Sequence, residues 1–574
     1  MEKKSSEFLL ISDFNMEILA GYLRNHPEKK IGSVRTAPFG QFMQILSGNM
    51  DYTDNHSTAL VWTRPESVSN NYRQAKEFVQ VPVKTVLEEV DHFADILTNY
   101  AQSVKTLFVS TWVTPRSASG YGMLDMRDGV GLKNLLMQMN LRLAEKLSLI
   151  SNIYILDADR WFSGLDESCF EVKMWYLSKV PFGNSVFKEA ADDVVSALTG
   201  LYGESRKLIV LDLDDTLWGG IVGDDGWDKL RLGGHDGVGE AFVDFQHGLK
   251  NLTRKGILLA IVSKNTESIA IEAIEKHPEM VLKLNDFAGW RINWNDKAVN
   301  IADLTQELNL GLQSVVFIDD NPVERARVRD EFPEVIVPEW PKNKMAYRST
   351  LDALKCFNLP SLSAEDSGRT QMYVAERKRR QTRKSVKSLD DWLETLAVSV
   401  TIEPLDVSNQ QRCTQLLNKT NQMNLTTRRL TEEQLVEWSQ GSGRIIHLFS
   451  VSDKFGDSGL TGIASMEITN GIATVVDFIL SCRVMGKKIE HTMTAQLLET
   501  AKKAGAKRMI VNYIKTAKNA PCLAFWKQSG FENAKHHVNR FEWNIAHPYQ
   551  SPKCVRVENK KAKTSDHSIQ LGEK

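Results

Sequence analysis

Cysteine is scarce in this chain, and its cysteines form neither a metal-binding nor a disulfide pattern. The 574 residues contain six cysteines, none of them in a Cys-x-x-Cys pair. Structural zinc sites and disulfide scaffolds both depend on closely spaced cysteines. We therefore expect reduced thiols and a cytoplasmic protein. The six are Cys169, Cys356, Cys413, Cys482, Cys522 and Cys554.

Long apolar runs and an excess of one charge are also lacking. No apolar stretch reaches the ~20 residues that cross a bilayer, and no apolar leader follows the first residues. Lysine plus arginine number 71 against 72 aspartates plus glutamates. This balance gives no excess of positive charge of the kind that binds nucleic acid. The sequence predicts no membrane partner, no nucleic-acid partner and no secretion.

The chain is long enough for three or four domains of ordinary size. Hydrophobic residues make up 42% and charged residues 25%, which is typical of globular proteins with buried cores. Strand-like apolar runs alternate with longer helix-like segments over much of the length. The sequence therefore predicts a multidomain α/β protein.

An apolar run that leads into two carboxylates is the most informative pattern. Residues 208–211, Leu-Ile-Val-Leu, precede Asp212, Asp214 and Thr216. A buried strand with this ending places its carboxylates at the carboxyl edge of a parallel sheet, where α/β folds bind ligands. Two acids there repel each other unless a hard cation such as Mg²⁺ lies between them. The pattern predicts phosphoryl transfer, in which Asp212 attacks phosphorus and Asp214 protonates the leaving oxygen.

Three later segments supply further groups for this chemistry. The apolar run 257–262 ends in a Ser-Lys-Asn cluster, a lysine opens the helix-like segment at 297, and the run 314–318 ends in two aspartates. Hydroxyl, amide and ammonium groups suit phosphoryl oxygens, and a second acidic strand end can complete a metal site. The predicted phosphate-binding residues are Thr216, Ser263, Lys264, Asn265 and Lys297, and the predicted metal ligands are Asp212, Asp214, Asp319 and Asp320.

In order and spacing, these four segments resemble the four motifs of the haloacid dehalogenase superfamily. The resemblance implies a Mg²⁺-dependent phosphatase domain with a Rossmann-like parallel sheet, over residues 201–350. A lone Asp-x-Asp-x-Thr would equally fit a turn or a helix cap, whereas the ordered quartet favours catalysis.

The first 200 residues predict an α/β domain of their own. Ser12-Asp-Phe-Asn15 follows the first apolar run and resembles the opening block of SGNH hydrolases, whose serine lies at a strand end. Those hydrolases also need a histidine preceded by an aspartate, but Asp157-Ala-Asp159 has no histidine near it. Since a serine without a base is a weak nucleophile, we expect a degenerate, non-hydrolytic domain over residues 1–200. The predicted strands are 8–12, 58–62, 106–110 and 153–156.

The sequence predicts a helical linker over residues 351–390. Residues 361–366 can cap a helix that carries Tyr373 and a basic run at 377–380. Such a run is usually a solvated face. The alternative is a docking strip for an acidic carrier protein, through electrostatic steering.

The sequence predicts an α+β domain over residues 391–546. We expect residues 547–574 to form a flexible tail. The order of strands and helices resembles the N-acetyltransferase (GNAT) fold, in which a splayed strand and the following helix cradle a pantetheine arm and its pyrophosphate. Arg483-Val-Met-Gly486-Lys-Lys488 stands where a glycine-rich loop is expected, and Lys488 takes the second small position. This departure weakens the expectation of coenzyme A binding in the usual manner.

Cys482 occupies the strand end in this segment. Arg483, Lys487 and Lys488 lie close to it in the sequence, on a turn that opens a helix. Cationic neighbours and a helix N-terminus favour the reactive thiolate. An inert core cysteine is the alternative interpretation, and Cys522 is the rival for a reactive thiol.

Three signatures together resemble the FkbH proteins of polyketide pathways. They begin at Asp212 (Asp-Leu-Asp-Asp-Thr-Leu-Trp-Gly-Gly), at Asn418 (Asn-Lys-Thr-Asn-Gln-Met-Asn-Leu-Thr) and at Ser481 (Ser-Cys-Arg-Val-Met-Gly), and the resemblance covers nearly the whole chain. It implies a glyceryl transferase and phosphatase that draws on 1,3-bisphosphoglycerate. The glyceryl unit is held on an enzyme cysteine as a thioester, dephosphorylated, and delivered to the phosphopantetheine thiol of an acyl carrier protein. The implied catalytic residues are Asp212, Asp214 and Cys482.

A polar cluster in the second signature, together with Arg483, is predicted to bind substrate or pantetheine. Polyhydroxy substrates are recognised by paired hydrogen bonds. Asparagine and threonine clusters also cap helices, and this alternative stays open. Two other functions stay open as well: a phosphatase or phosphotransferase for another small phosphorylated acid, and a non-catalytic scaffold that docks a carrier protein. The cluster comprises Thr420, Asn421, Gln422 and Asn424.

Overall fold

The computed structural model describes residues 7–49, 56–114, 120–164, 169–360, 364–384, 389–420, 422–516, 519–534 and 539–560. The chain divides into two compact units, Met1–Ser205 with Leu354–Pro360, and Arg206–Ala353 with Ser361–Lys574. No helix within the described ranges is long and apolar enough to cross a membrane.

The first unit is built on a parallel sheet with the strand order β2-β1-β3-β4-β5. Leu9 and Ile11 of β1 pack into one apolar layer, and Phe8 and Leu10 pack into the other. Successive side chains of a strand point to opposite faces, so helices cover both faces of this sheet. The strands are β1 (Glu7–Ser12), β2 (Ser33–Thr36), β3 (His56–Trp62), β4 (Thr106–Ser110) and β5 (Ile153–Leu156). The helices are α1 (Glu17–Arg24), α2 (Phe42–Leu46), α3 (Pro65–Val68), α4 (Asn70–Lys76), α5 (Val83–Ala101), α6 (Leu132–Leu147), α7 (Asp159–Phe162), α8 (Val172–Ser178) and α9 (Asn184–Leu201).

A later segment of the chain returns to this unit. The Oγ of Ser196 on α9 donates a hydrogen bond to the carbonyl of Lys355, and Lys355 Nζ pairs with Glu189 Oε2 at 2.5 Å. The linker predicted from residue 351 is therefore corrected, because Leu354–Pro360 packs with the first unit.

The second unit begins with a parallel sheet of order β8-β7-β6-β9. All four residues of β6 are buried, as expected for a parallel strand covered on both faces. The strands are β6 (Leu208–Leu211), β7 (Leu258–Ser263), β8 (Phe287–Ile292) and β9 (Val315–Ile318). The helices are α10 (Val222–Asp225), α11 (Gly237–Arg254), α12 (Glu267–Lys276), α13 (Lys297–Glu307), α14 (Pro322–Glu331) and α15 (Tyr347–Asp352).

Two helices, α16 (Ala364–Lys384) and α17 (Leu389–Leu396), connect this sheet to the C-terminal one. The Arg377 guanidinium lies 4.2 Å from the ring centroid of Trp290 and donates to the carbonyl of Phe287. Arg379 is buried and forms a two-point ion pair with Asp453. The basic run was predicted to face solvent, but Arg377 and Arg379 make contacts inside the protein. They hold α16 to the two neighbouring sheets.

The C-terminal sheet is mixed and has the order β16-β17-β15-β14-β13-β12-β10-β18, with β11 also paired to β14. The neighbours β14 and β15 are parallel, and α20 makes the crossover between them. The strands are β10 (Val398–Glu403), β11 (Met423–Asn424), β12 (Arg444–Asp453), β13 (Gly456–Thr469), β14 (Ile472–Leu480), β15 (Arg508–Asn512), β16 (Glu532–Asn533), β17 (Arg540–Asn544) and β18 (Val555–Asn559). The helices are α18 (Gln410–Lys419), α19 (Glu432–Ser439), α20 (Ile489–Lys503) and α21 (Ala520–Gln528).

The tail predicted from residue 547 begins too early. Val555–Asn559 form β18, which pairs in parallel with β10 from Val398 to Ile402. This pairing satisfies the backbone groups of the sheet edge. Residues 561–574 of the predicted tail lie outside the described residues.

Candidate functional site

The predicted phosphoryl-transfer residues meet at the carboxyl edge of the second unit's parallel sheet. Asp212, Ser263 and Asp319 lie at the ends of β6, β7 and β9, three neighbouring strands. Parallel strands bring their carboxyl ends to one edge, and the Asp212 amide donates to the carbonyl of Ile318 at 3.1 Å. A cavity of about 720 Å³ opens there.

Lys297 lies between two carboxylates at the floor of this cavity. Its Nζ is 3.1 Å from Asp212 Oδ1 and 2.6 Å from Asp319 Oδ2. Burial and the Asp212 charge raise the pKa of Asp319 to about 7, although Lys297 opposes that shift. Burial works to lower the pKa of Lys297, but the two carboxylates outweigh it and leave this pKa raised. The charges of Asp212, Asp319 and Lys297 therefore interact strongly, because water is largely excluded from the group.

Three carboxylates have the arrangement that a divalent metal requires. One oxygen from each of Asp212, Asp319 and Asp320 lies within 4.8 Å of the others. Asp212 Oδ1 is buried, and the Lys297 ammonium lies 3.1 Å from it. One ammonium does not offset three adjoining carboxylates, so a divalent cation would relieve their mutual repulsion. This all-oxygen donor set fits Mg²⁺.

Asp214, also a predicted metal ligand, lies outside this cluster. Its Oδ1 accepts from Trp218 Nε1 at 2.9 Å and from the Val222 amide at 3.0 Å, and its Oδ2 accepts from Asn265 Nδ2 at 2.9 Å. These donors engage both side-chain oxygens, so the carboxylate of Asp214 is not part of the three-carboxylate cluster. Burial raises the pKa of Asp214, and Asp212 adds to the rise. A raised pKa suits the general acid that the sequence predicts.

The predicted phosphate-binding residues differ in their positions. Ser263, Lys264 and Asn265 line the cavity. Lys264 is 38% exposed and pairs with Glu324 at 2.7 Å, and Asn265 orients Asp214. Thr216 is fully buried, and its Oγ accepts from the Asp320 amide at 3.2 Å. Thr216 therefore fixes the second acidic loop and does not present its hydroxyl to a phosphate.

Lys344 is a site residue that the sequence pattern does not reveal. Its Nζ donates to the carbonyl of Asp215 at 2.7 Å and lies 3.7 Å from Asp320 Oδ2. Tyr347 OH donates to the same carbonyl at 3.0 Å. Asp215 has a left-handed backbone (φ 53°), and these two donors stabilise that conformation. No strand precedes Lys344, so it lacks the signal that marks the other residues.

In the first unit, the serine of the SGNH-like block makes a local contact. Ser12 is buried at the end of β1, and its Oγ accepts from the Phe14 amide at 3.1 Å. The neighbouring Asp13 is held by Arg64, whose Nε lies 2.7 Å from Asp13 Oδ2. No histidine is among the residues that line the hollow at Ser12 in the described part of the chain.

The acyl-transfer residues predicted in the C-terminal part are only partly described. Cys482 begins a short turn, Cys482–Val484, directly after β14, but its side chain lies outside the described residues, as does all of Asn421. Arg483 follows on this turn and lines a second cavity. Cys522 is fully buried, and burial raises the pKa of its thiol to about 12, which disfavours the reactive thiolate.

Asn424 has a structural role. Its Nδ2 donates to the Thr420 carbonyl at 2.9 Å, and its Oδ1 accepts from the Thr427 amide at 2.8 Å. Both ends of the Asn424 amide are used within one buried loop, so in this structure the side chain stabilises the loop that follows α18. Thr420 ends α18, and Gln422 is half-buried beside this loop.

The same loop closes the gap between two splayed strands. The pairing of β14 with β15 stops at Val475, after which β14 pairs with β11. The Leu425 amide donates to Phe478 of β14 at 3.2 Å, and the Leu425 carbonyl accepts from Ile514 beyond β15 at 3.1 Å. The chain itself thus fills the place where the GNAT resemblance predicts a pantetheine arm.

Comparison with known proteins gives a structural neighbour for more than half of the chain. It is the N-terminal part of a Bacteroides fragilis protein, which contains a phosphatase domain and was crystallised with Mg. The two share 26% sequence identity at a TM-score of 0.57, over 62% of this chain and 95% of that one. The expected haloacid dehalogenase-like phosphatase core is supported at this level. No family model and no curated protein matches the chain.

Two acetyltransferase structures match a quarter of the chain. The Escherichia coli ribosomal-protein-S18-alanine N-acetyltransferase is 13% identical, over 25% of this chain and 94% of its own, with a TM-score of 0.20. The Vibrio cholerae spermidine N-acetyltransferase is 15% identical, over 26% and 96%, with a TM-score of 0.21. At these scores the likeness establishes neither fold nor activity.

Proposed function

We propose that this chain is a Mg²⁺-dependent glyceryl transferase and phosphatase. It takes the glyceryl unit of 1,3-bisphosphoglycerate onto Cys482, removes the remaining phosphate at Asp212, and loads the phosphopantetheine thiol of an acyl carrier protein. The observation that carries the phosphatase part is the cluster of Asp212, Asp319 and Asp320, whose oxygens lie within 4.8 Å of one another beside Lys297. The neighbour's phosphatase domain, crystallised with Mg, supports the same part.

The phosphatase step uses the two aspartates in different roles. An Asp212 oxygen forms a bond to phosphorus while the ester oxygen of the substrate departs with its electron pair. Asp214, whose pKa is raised by burial, gives its proton to that oxygen. Water then attacks the aspartyl phosphate, Asp214 takes the proton back, and inorganic phosphate leaves.

Asp212, Asp319 and Asp320 would hold Mg²⁺, which neutralises charge on the phosphoryl group when bound. Lys297 holds Asp212 and Asp319 in place and adds a second positive charge at the cavity floor. Ser263 and Lys264 line the wall that faces the phosphate.

The transfer step needs a different nucleophile because its leaving group is different. In an acyl phosphate, a thiolate attacks the carbonyl carbon and the phosphate departs with the electron pair, which leaves a thioester on Cys482. The carrier thiol then attacks that thioester as a thiolate, and the Cys482 thiolate departs. No oxidant or second cofactor is needed.

Intact-mass spectrometry after incubation with 1,3-bisphosphoglycerate tests the proposal. We expect a glyceryl adduct that hydroxylamine removes, and loading of a carrier protein when one is added. Cys482→Ser should form no adduct, whereas Cys554→Ser, a change at a half-buried cysteine, should form a normal one. An enzyme that releases phosphate but never acquires an adduct would be a phosphatase for another small phosphorylated acid. An enzyme with neither activity would be a carrier-docking scaffold.

A further inference from the structure

A second cavity, of about 460 Å³, lies within the second unit between α13, α16 and the turn that follows β14. This volume is in the range of small-molecule sites, roughly 300–1,000 Å³. The residues that line it differ from those that line the phosphatase cavity. Arg483 and Met485 contribute one wall, so the turn that begins with Cys482 borders this space.

The charges that line this cavity cancel. Glu307 and Glu376 face Arg379 and Arg483, which gives a formal net charge of zero. The charges of both signs are largely paired. Arg379 Nε lies 2.6 Å from Asp453 Oδ2 and its Nη1 lies 3.2 Å from Glu376. Glu307 Oε2 lies 2.5 Å from Arg291 Nη2. An anion such as a phosphate would therefore gain little here, whereas a neutral ligand would not be repelled.

The remaining walls are apolar with a few polar groups between them. Leu308, Met372, Trp392 and Met485 supply apolar surface, and Ser458 supplies a hydroxyl. Such a pocket takes an apolar ligand whose orientation is set by a few hydrogen bonds. A pantetheine arm has this chemistry, since it joins a dimethylated carbon chain to two neutral amides.

Arg483 lies between the cavity and the turn. Its Nε donates to Ser481 Oγ at 3.0 Å, and its Nη1 lies 2.6 Å from the sulfur of Met372 on α16. The guanidinium is thus held to the turn by Ser481 and lies in close contact with Met372, next to Cys482 in the chain. A fixed guanidinium presents N–H groups to a carbonyl oxygen with little loss of conformational entropy.

The alternative path for a pantetheine arm is occupied. Met423–Asn424 pairs with β14 at Leu480 and Ile479, and Leu425 bridges to the segment after β15. An arm could not add to β14 there without displacing these hydrogen bonds.

We infer that the cavity between α13, α16 and the Cys482 turn binds the pantetheine arm of the acyl carrier and brings its thiol to Cys482. This site rests on the proposed function and names where its acceptor enters. Glu307 already pairs with Arg291, and Glu376 already pairs with Arg379. The remaining lone pairs of these carboxylates accept from the amide N–H groups of the arm, and Arg483 donates to a carbonyl. The GNAT-like sheet then serves as a platform for the turn and does not itself hold the arm.

Pantetheine itself is the probe for the test. Titration by calorimetry or saturation-transfer NMR should show binding to the full-length protein. Met372→Trp fills the cavity and should weaken the Kd at least tenfold. Gln371→Trp, at the exposed neighbouring position on α16, should leave the Kd unchanged. Arg483→Gln should weaken binding several-fold, and thermal melting shows that each variant is folded.

The outcomes separate this site from the proposed reaction. Equal Kd values for Met372→Trp and the wild type would overturn the site, and so would displacement of pantetheine by millimolar inorganic phosphate. A wild type that acquires the acyl adduct but binds no pantetheine overturns the site alone. A wild type that binds pantetheine in this cavity but never acquires the adduct supports the site and refutes the glyceryl transfer.

Discussion

Lys297 and Asp319 form an ion pair from which water is excluded: Nζ lies 2.6 Å from Oδ2, and the side chains are 4% and 0% exposed. Asp212 completes the group at 3.1 Å from the same nitrogen. The proposed nucleophile, Asp212, and a proposed metal ligand, Asp319, are therefore joined through one ammonium.

Replacing Lys297 with methionine should disturb stability and activity together. Removing one partner of a buried pair costs about 3–5 kcal/mol, because the remaining charges lose their compensation. Phosphate release should fall at least a hundredfold. Urea unfolding and a phosphate-release assay measure the two effects. Lys264→Met is the matched control for stability, since the Lys264 pair with Glu324 is partly exposed and should be worth less than about 1 kcal/mol. Equal unfolding free energies for the two variants would contradict the role given to Lys297.

Asp212→Asn should leave the fold intact and abolish phosphate release, since an amide cannot form the phosphoryl bond. Acyl capture on Cys482 should continue, so a phosphoglyceryl adduct should accumulate and be visible by intact mass. Asp228→Asn, at an exposed acid outside the cavity, should release phosphate normally. Unchanged phosphate release in Asp212→Asn would show that another group attacks phosphorus.

Removing divalent metal should reproduce the Asp212 result. EDTA should reduce phosphate release to background, and added Mg²⁺ should restore it. Mg²⁺ should also raise the melting temperature of the wild type, because it binds the folded state alone, and Asp320→Asn should reduce that rise. Phosphate release that is indifferent to EDTA would rule out the metal site.

Glu490 provides a pH test away from the phosphatase site. Burial raises its pKa, although the Gly486 amide donates to Oε1 at 3.0 Å and opposes the shift. As the pH rises, Glu490 loses its proton at a lower pH in the unfolded chain than in the folded protein. Above the pKa of the unfolded chain, Glu490 therefore lowers the free energy of unfolding. Glu490→Gln keeps the acceptor and removes this cost. The difference in melting temperature, variant minus wild type, should grow from pH 4 to pH 8, and a constant difference would refute the assignment.

The proximity of the strand-end residues could be predicted from the sequence, because a parallel sheet brings the carboxyl ends of its strands to one edge. Asp212, Ser263 and Asp319 are far apart in sequence, yet each follows an apolar run, so their meeting was predictable. Four strands of the first unit and the helix that begins at Ile489 were predictable for the same reason, since apolar periodicity is local.

The directions in which the side chains point could not be predicted from the sequence in this way. Asp214 was expected to bind metal, but its oxygens depend on Asn265 and Trp218, whose geometry no spacing encodes. Asn424 was expected near substrate, but the loop it stabilises forms only when β14 and β15 diverge. Lys344 was missed because it reaches Asp215 across 129 residues.

The strand Val555–Asn559 has a practical consequence, because it covers the edge of β10. A chain cut before Val555 would leave the amides and carbonyls of β10 open along that edge, and exposed edges are templates for pairing between molecules. Such a protein would self-associate through its C-terminal sheet even with both reaction sites complete. Loss of solubility on trimming would therefore report on an open sheet edge and not on the chemistry.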